Sequence, residues 1–126
     1  MPALRVLKDD RTVYESDEAG LKPLAHLYFT KPALMKGASI YDKVVGEAAA
    51  RIFIMARVGN VHAGIASRGA FELLKKAGIP ACAEKIVDKI LNAARTGPCP
   101  MEKLSAENKD DEKFLAALKE KMRLAC

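Results

Sequence analysis

The sequence predicts an α/β domain built on a mixed sheet. Three observations carry this. The chain opens with two short strand patterns joined by an acidic turn. Helix and strand patterns then alternate to about residue 87. Half the residues are hydrophobic but only 6% are aromatic, so the core is mainly Ala, Val, Ile, Leu and Met. Such a composition suits helices packed closely on a sheet. Strands separated by helices pair in parallel through right-handed crossovers, while the opening hairpin adds antiparallel pairing. The expected architecture is a three-layer α/β/α sandwich.

Each element has its own warrant. Leu4–Leu7 and Thr12–Glu15 read as strands, with Lys8–Arg11 as the turn between them. Leu21, Leu24, Ala25 and Tyr28 recur at helical spacing, and Pro23 sits in the first turn, where it is tolerated. Residues 31–37 form a loop. Ala38–Tyr41 is a short strand. A helix starts at about Lys43, with Val45, Ala48, Ala49, Ile52, Phe53 and Ala56 as its buried stripe and Gly59-Asn60 as its end. Val61–Ala66 is apolar, as a buried parallel strand would be. Ser67 is an N-cap for a helix carrying Ala70, Phe71, Leu74 and Ala77, which Gly78 closes. Ala81–Val87 is the last strand. Asp88–Ala94 is helical or irregular. Thr96-Gly97-Pro98 is a turn, and Pro100 starts a short helix. Asn108–Ala125 is a helix packing through Phe114, Leu115, Leu118 and Met122. Its acidic residues come first and its basic residues last, which suits the helix dipole.

The 126 residues form one domain, without an internal repeat or a linker. A core of this size buries roughly two thirds of the unfolded chain's surface and needs no disulfide. The three cysteines, Cys82, Cys99 and Cys126, have no paired spacing, which points to reduced thiols and a cytoplasmic location. The N-terminus is not a leader, and Arg51 and Arg57 interrupt the longest apolar stretch, so no membrane partner is expected. The net charge is +5, and five basic residues balance five acidic ones from Ser105 onward, so the excess lies in residues 1–104. There it is scattered, without a dense block or interleaved aromatics. Nucleic acid is therefore not the expected partner.

The opening strand pair running into Gly20-Leu21-Lys22-Pro23-Leu24, then Asp42-Lys43-Val44-Val45-Gly46 with Ala48-Ala49, and finally Thr96-Gly97 with Cys99-Pro100-Met101-Glu102, form a distinctive set. In these the chain resembles a small family of uncharacterised bacterial and archaeal proteins with the cytidine deaminase-like fold. The resemblance covers about residues 3–104, with 105–126 as a C-terminal helix. It implies a fold and no activity. Zinc deaminases carry His or Cys with Glu at one helix start and Pro-Cys-x-x-Cys at the next. The corresponding positions here are Asp42-Lys43-Val44 and Ser67-Arg68-Gly69-Ala70, which supply no such ligands. Pro98-Cys99-Pro100-Met101-Glu102 comes one strand too late and has Glu102 in place of the second cysteine. No metal or other cofactor is therefore expected.

The candidate site gathers at strand ends, where open α/β sheets bind ligands. Asp42 would accept a hydroxyl or amino group, act as a base, or cap the following helix. Lys43, beside that helix start, would hold an anion. Gly46 would allow close approach. Ser67 would cap the next helix or hold an anion with it. Thr96, Gly97, Cys99 and Glu102 would complete the hollow. The leading expectation is a small polar or anionic ligand, nucleotide-like in character. The first rival is a metal-independent enzyme with Cys99 as nucleophile and Asp42 or Glu102 managing protons. The second is a protein-interaction module, which would expose a large apolar patch. His62 reads as a hydrogen-bonded sheet histidine. The sequence does not specify the oligomeric state.

Overall fold

The computed structural model describes residues 3–18, 20–90 and 100–124. Its order is β1 (Leu4–Lys8), β2 (Arg11–Ser16), α1 (Lys22–Thr30), a 3-10 turn at Pro32–Leu34, β3 (Ser39–Val45) and α2 (Glu47–Ala56). There follow β4 (Asn60–Ser67), α3 (Arg68–Lys76), β5 (Ala81–Val87), α4 (Pro100–Glu107) and α5 (Asp111–Leu124). The five strands form one mixed sheet in the order β2-β1-β3-β4-β5. β1 runs antiparallel to β2 and β3, while β3, β4 and β5 are parallel. The mixed α/β class is the one the sequence predicts, but the expected third layer is not seen among the described residues, because the crossover helices share one face of the sheet.

Asp9 and Asp10 both take positive φ (50° and 63°), which gives the two-residue turn whose twist suits a hairpin. Short acidic side chains tolerate that conformation better than branched ones. Two boundaries differ from expectation. β3 runs on through Lys43 to Val45, and the helix starts at Glu47 with Gly46 as an extended N-cap. Pairing of Val44 with Ile65 and Val45 with Ala66 holds these β-branched residues in the sheet. Val45 is therefore a buried strand residue and not part of a helix stripe. At its other end α2 is closed by Arg57 in the left-handed conformation (φ 58°), not by Gly59. Gly59 meets a different need: a Cβ there would lie 2.7 Å from the Gly37 carbonyl oxygen.

The crossovers β2→β3, β3→β4 and β4→β5 all advance across the sheet in one direction. Right-handed connections then place α1, α2 and α3 on the same face. One core joins them to the sheet, with Val6, Leu24, Ile40, Ile52, Phe53, Val61 and Leu74 fully buried. Each large side chain so buried contributes about 1.5–3 kcal/mol. α4 packs on α2, and α5 on α4. From α5, Phe114 and Leu118 are fully buried and Leu115 partly, whereas the Met122 side chain lies outside the described ones. The opposite sheet face carries Arg5, Tyr41, Lys43, His62, Cys82 and Glu84, and among the described residues no helix covers it.

Candidate functional site

At the carboxyl ends of β3 and β4 the chain fills its own anion site. Gly46 leaves the first N–H groups of α2 without a side-chain cap of their own. Glu102 reaches across from α4. Its Oε1 accepts from Glu47 N–H at 2.6 Å and its Oε2 from Ala48 N–H at 2.8 Å. A carboxylate at a helix N-terminus is held by both the bonds and the dipole. Burial nevertheless pushes the Glu102 carboxyl above the ordinary range, because desolvation outweighs the two hydrogen bonds and neighbouring Glu47 adds repulsion. A Cβ at position 46 would collide with this carboxylate, so any larger residue there would push Glu102 off the helix start. Ser67 caps α3, its Oγ accepting from Ala70 N–H at 3.1 Å. Glu47, Ser67, Asp88, Lys89, Glu102 and Lys103 surround a crevice of about 370 Å³ there.

α2 answers α4 in kind. The Arg51 guanidinium donates to the carbonyls of Ser105 (2.9 Å), Asn108 (2.7 Å) and Lys109 (3.2 Å) at the far end of α4. It also pairs with Asp111 at 2.9 Å and lies 4.2 Å over the Phe114 ring. Each helix thus supplies the charge that the other's terminus needs. Glu102, in the first turn of α4, serves the N-terminus of α2.

Asp42 and Lys43 do not act as a doublet. Both lie inside β3, so they face opposite sides of the sheet. This corrects their expected place at a helix start; Asp42 does not cap α2. Asp42 pairs with Leu4 and Ala63 and borders a small cavity of about 60 Å³ with Gly46, Met101 and Glu102. Burial pushes its carboxyl up to about 7, against weaker lowering by the N–H groups of Val44 and Lys43. Lys43 belongs to the uncovered face. Of the predicted residues, Gly46, Asp42 and Glu102 come together at the small cavity, with Ser67 beside Glu102 across the crevice, whereas Lys43 meets Asp42 only at the larger hollow of about 550 Å³. Thr96, Gly97 and Cys99 lie outside the described residues.

The uncovered face holds what the sequence reading missed. Register across the strands aligns Glu15, Arg5, Tyr41, His62 and Cys82 in one row. Glu15 Oε2 lies 3.3 Å from Arg5 Nε. Tyr41 and His62 stack, with centroids 4.6 Å apart and planes within 9°. His62 Nδ1 and Cys82 Sγ are 3.0 Å apart, within hydrogen-bond reach. Beside this row a hollow of about 550 Å³ is lined by Tyr41, Lys43, His62, Gly64, Cys82 and Glu84 among others. Tyr41 remains 39% exposed and Cys82 is exposed. One signal was readable: Val61-His62-Ala63 and Ala81-Cys82-Ala83 share a pattern. Matched as neighbouring parallel strands, those triplets put His62 beside Cys82.

Residues 3–122 match the family model described as TM1506, domain of unknown function (DUF1893). The crystal structure of a DUF1893 family protein (TM1506) from Thermotoga maritima superposes with a TM-score of 0.85 at 28% identity, covering 95% of this chain and 80% of that one. No curated protein matches the chain.

Proposed function

The chain belongs to the DUF1893 family, and from that premise we propose that it binds a small, flat, anionic molecule in the hollow over β3, β4 and β5. The observation that carries this is the hollow of about 550 Å³ on a sheet face that no helix covers among the described residues. A ligand's ring would lie against the edges of Tyr41 and His62, which line the hollow and hold each other in place by stacking. Lys43 lines the same hollow and forms no ion pair among the described residues, so it would take the anionic group. Glu84 on the rim would accept from a hydroxyl or amino group. The crevice at the strand ends is the weaker place for an anion, because Glu102 already occupies the start of α2. The reading keeps the deaminase resemblance zinc-free. Asp42–Val44 is strand, Ser67 is spent on a cap, and the described residues contain no cluster of three His, Cys, Asp or Glu fit for a metal.

A thermal-shift screen with nucleotides, nucleosides, inorganic phosphate and small aromatic carboxylates tests this. A ligand at a hundredfold excess over its Kd should raise Tm by about 5–10 °C. The rise should vanish in Lys43→Ala and in Tyr41→Ala. The same rise in all three proteins would refute this site, and so would no rise in the wild type.

A further inference from the structure

We infer that His62 and Cys82 form a reactive dyad that exchanges with small disulfides, making Cys82 a site of reversible S-thiolation. This deepens the ligand reading and rests on the same hollow. The thiol is exposed, sits on edge strand β5 and opens into the hollow. His62 Nδ1 lies 3.0 Å from its sulfur. The Tyr41 stack on one side of the ring and strand register on the other hold the imidazole in that orientation. A nucleophile within reach of a base that a third group orients is the general form of an activated thiol.

The surroundings select the electrophile. Acyl transfer develops an oxyanion, which needs N–H donors aimed at it. The N–H groups of β3 and β4 beneath the hollow lie in the plane of the sheet and are spent on its ladder. None points up at a bound acyl group, and the one cation lining the hollow among the described residues, Lys43, is taken by the anionic group of the ligand. Thiol–disulfide exchange develops no oxyanion. It needs an accessible thiolate, a base for its proton and room for the departing sulfur. In the exchange, the Cys82 thiol passes its proton to His62 Nδ1 and its sulfur bonds to one sulfur of a disulfide R–S–S–R. The old S–S bond breaks, and the leaving thiolate takes the proton back from the imidazolium as RSH. Cys82 ends oxidised in a mixed disulfide, one R–S group is reduced to the thiol, and the imidazole returns neutral. Cys82 is the free cysteine among the described residues, so no thiol there stands by to resolve the adduct.

The test uses the full chain carrying Cys99→Ser and Cys126→Ser, so that Cys82 is the sole thiol. Oxidised glutathione, which is anionic, and 2-hydroxyethyl disulfide, which is uncharged, are the probes, followed by intact mass against time at pH 7. Cys82 should gain one thiol adduct, reversible by dithiothreitol. Its rate should exceed that of the His62→Gln variant by about tenfold or more. Should that variant fold poorly, the native rate compared with the rate in concentrated urea gives the same answer without a substitution at the dyad. The native rate should again be about tenfold higher. Equal rates in either comparison would overturn the dyad. Equal acceleration with both disulfides, unaffected by Lys43→Ala, would uphold the dyad while removing the anion reading. A Lys43-dependent thermal shift without accelerated exchange would do the reverse.

Discussion

Gly46 and Glu102 show how one small side chain can be explained only by another far along the chain. The carboxylate of Glu102 needs the space that a Cβ at position 46 would fill. In exchange it satisfies two backbone donors that Gly46 cannot cap. Glu102→Ala should destabilise the fold by about 1–2 kcal/mol, the usual worth of a helix cap. Gly46→Ala should cost about as much, by displacing the same carboxylate. Urea titration of the double mutant gives the decisive number. Once Glu102 is gone, Gly46→Ala should add less than about 0.5 kcal/mol. Fully additive losses would mean that the glycine serves some other need.

Between elements, the exchange of caps makes α2 and α4 a matched pair. Arg51 has little exposed surface and spends its donors on three carbonyls and a carboxylate around the α4–α5 junction. Arg51→Ala should lower stability by about 1–3 kcal/mol, because the part-buried carbonyls of Ser105 and Asn108 lose a charged donor. Arg51→Lys should recover less than half of that. A single ammonium cannot span the fork of partners or lie flat on Phe114. Limited proteolysis checks the location of the effect. Cleavage between α4 and α5 should appear in Arg51→Ala before the sheet is lost. β3 teaches a related lesson about boundaries. Asp42-Lys43 reads locally as the polar start of a helix, but parallel pairing with β4 carries the strand four residues beyond Tyr41, to Val45. That shift in boundary sends the two side chains to opposite faces.

For the molecule as a whole, Asp42 links folding to pH. Its folded value, about 7, lies above the ordinary 3.8, so the native state holds a proton that the unfolded chain has released. The contribution is fully present below pH 3.8 and is lost as pH rises through about 7. Asp42→Asn removes the dependence, since a neutral amide has nothing to ionise. The variant should gain on the wild type between pH 5 and 8 by about 3 kcal/mol, at about 1.4 kcal/mol per pH unit up to the folded value of about 7. Tm measured across that range decides it. A difference that stays constant with pH would show that Asp42 ionises as freely in the folded chain as in the unfolded one. Glu102 is shifted in the same direction, so a residual slope in the same sense should survive in Asp42→Asn. At this scale, the described residues include no helix long and apolar enough to cross a membrane.

By itself the sequence determined the order of the elements, the mixed sheet, the acidic hairpin turn, the Ser67 cap and the start of α4 at Pro100. These follow from local periodicity, turn chemistry and capping, all of which are written within a few residues. Tertiary structure alone decided which side chains meet. That Glu102 caps α2, that Arg51 closes α4, and that His62 faces Cys82 depend on strand register and helix packing between residues 20 or more positions apart. It also decided that one sheet face stays uncovered among the described residues, because all three crossovers advance the same way. Local patterns specify which face a residue takes on its own element; only the assembled sheet specifies its neighbour.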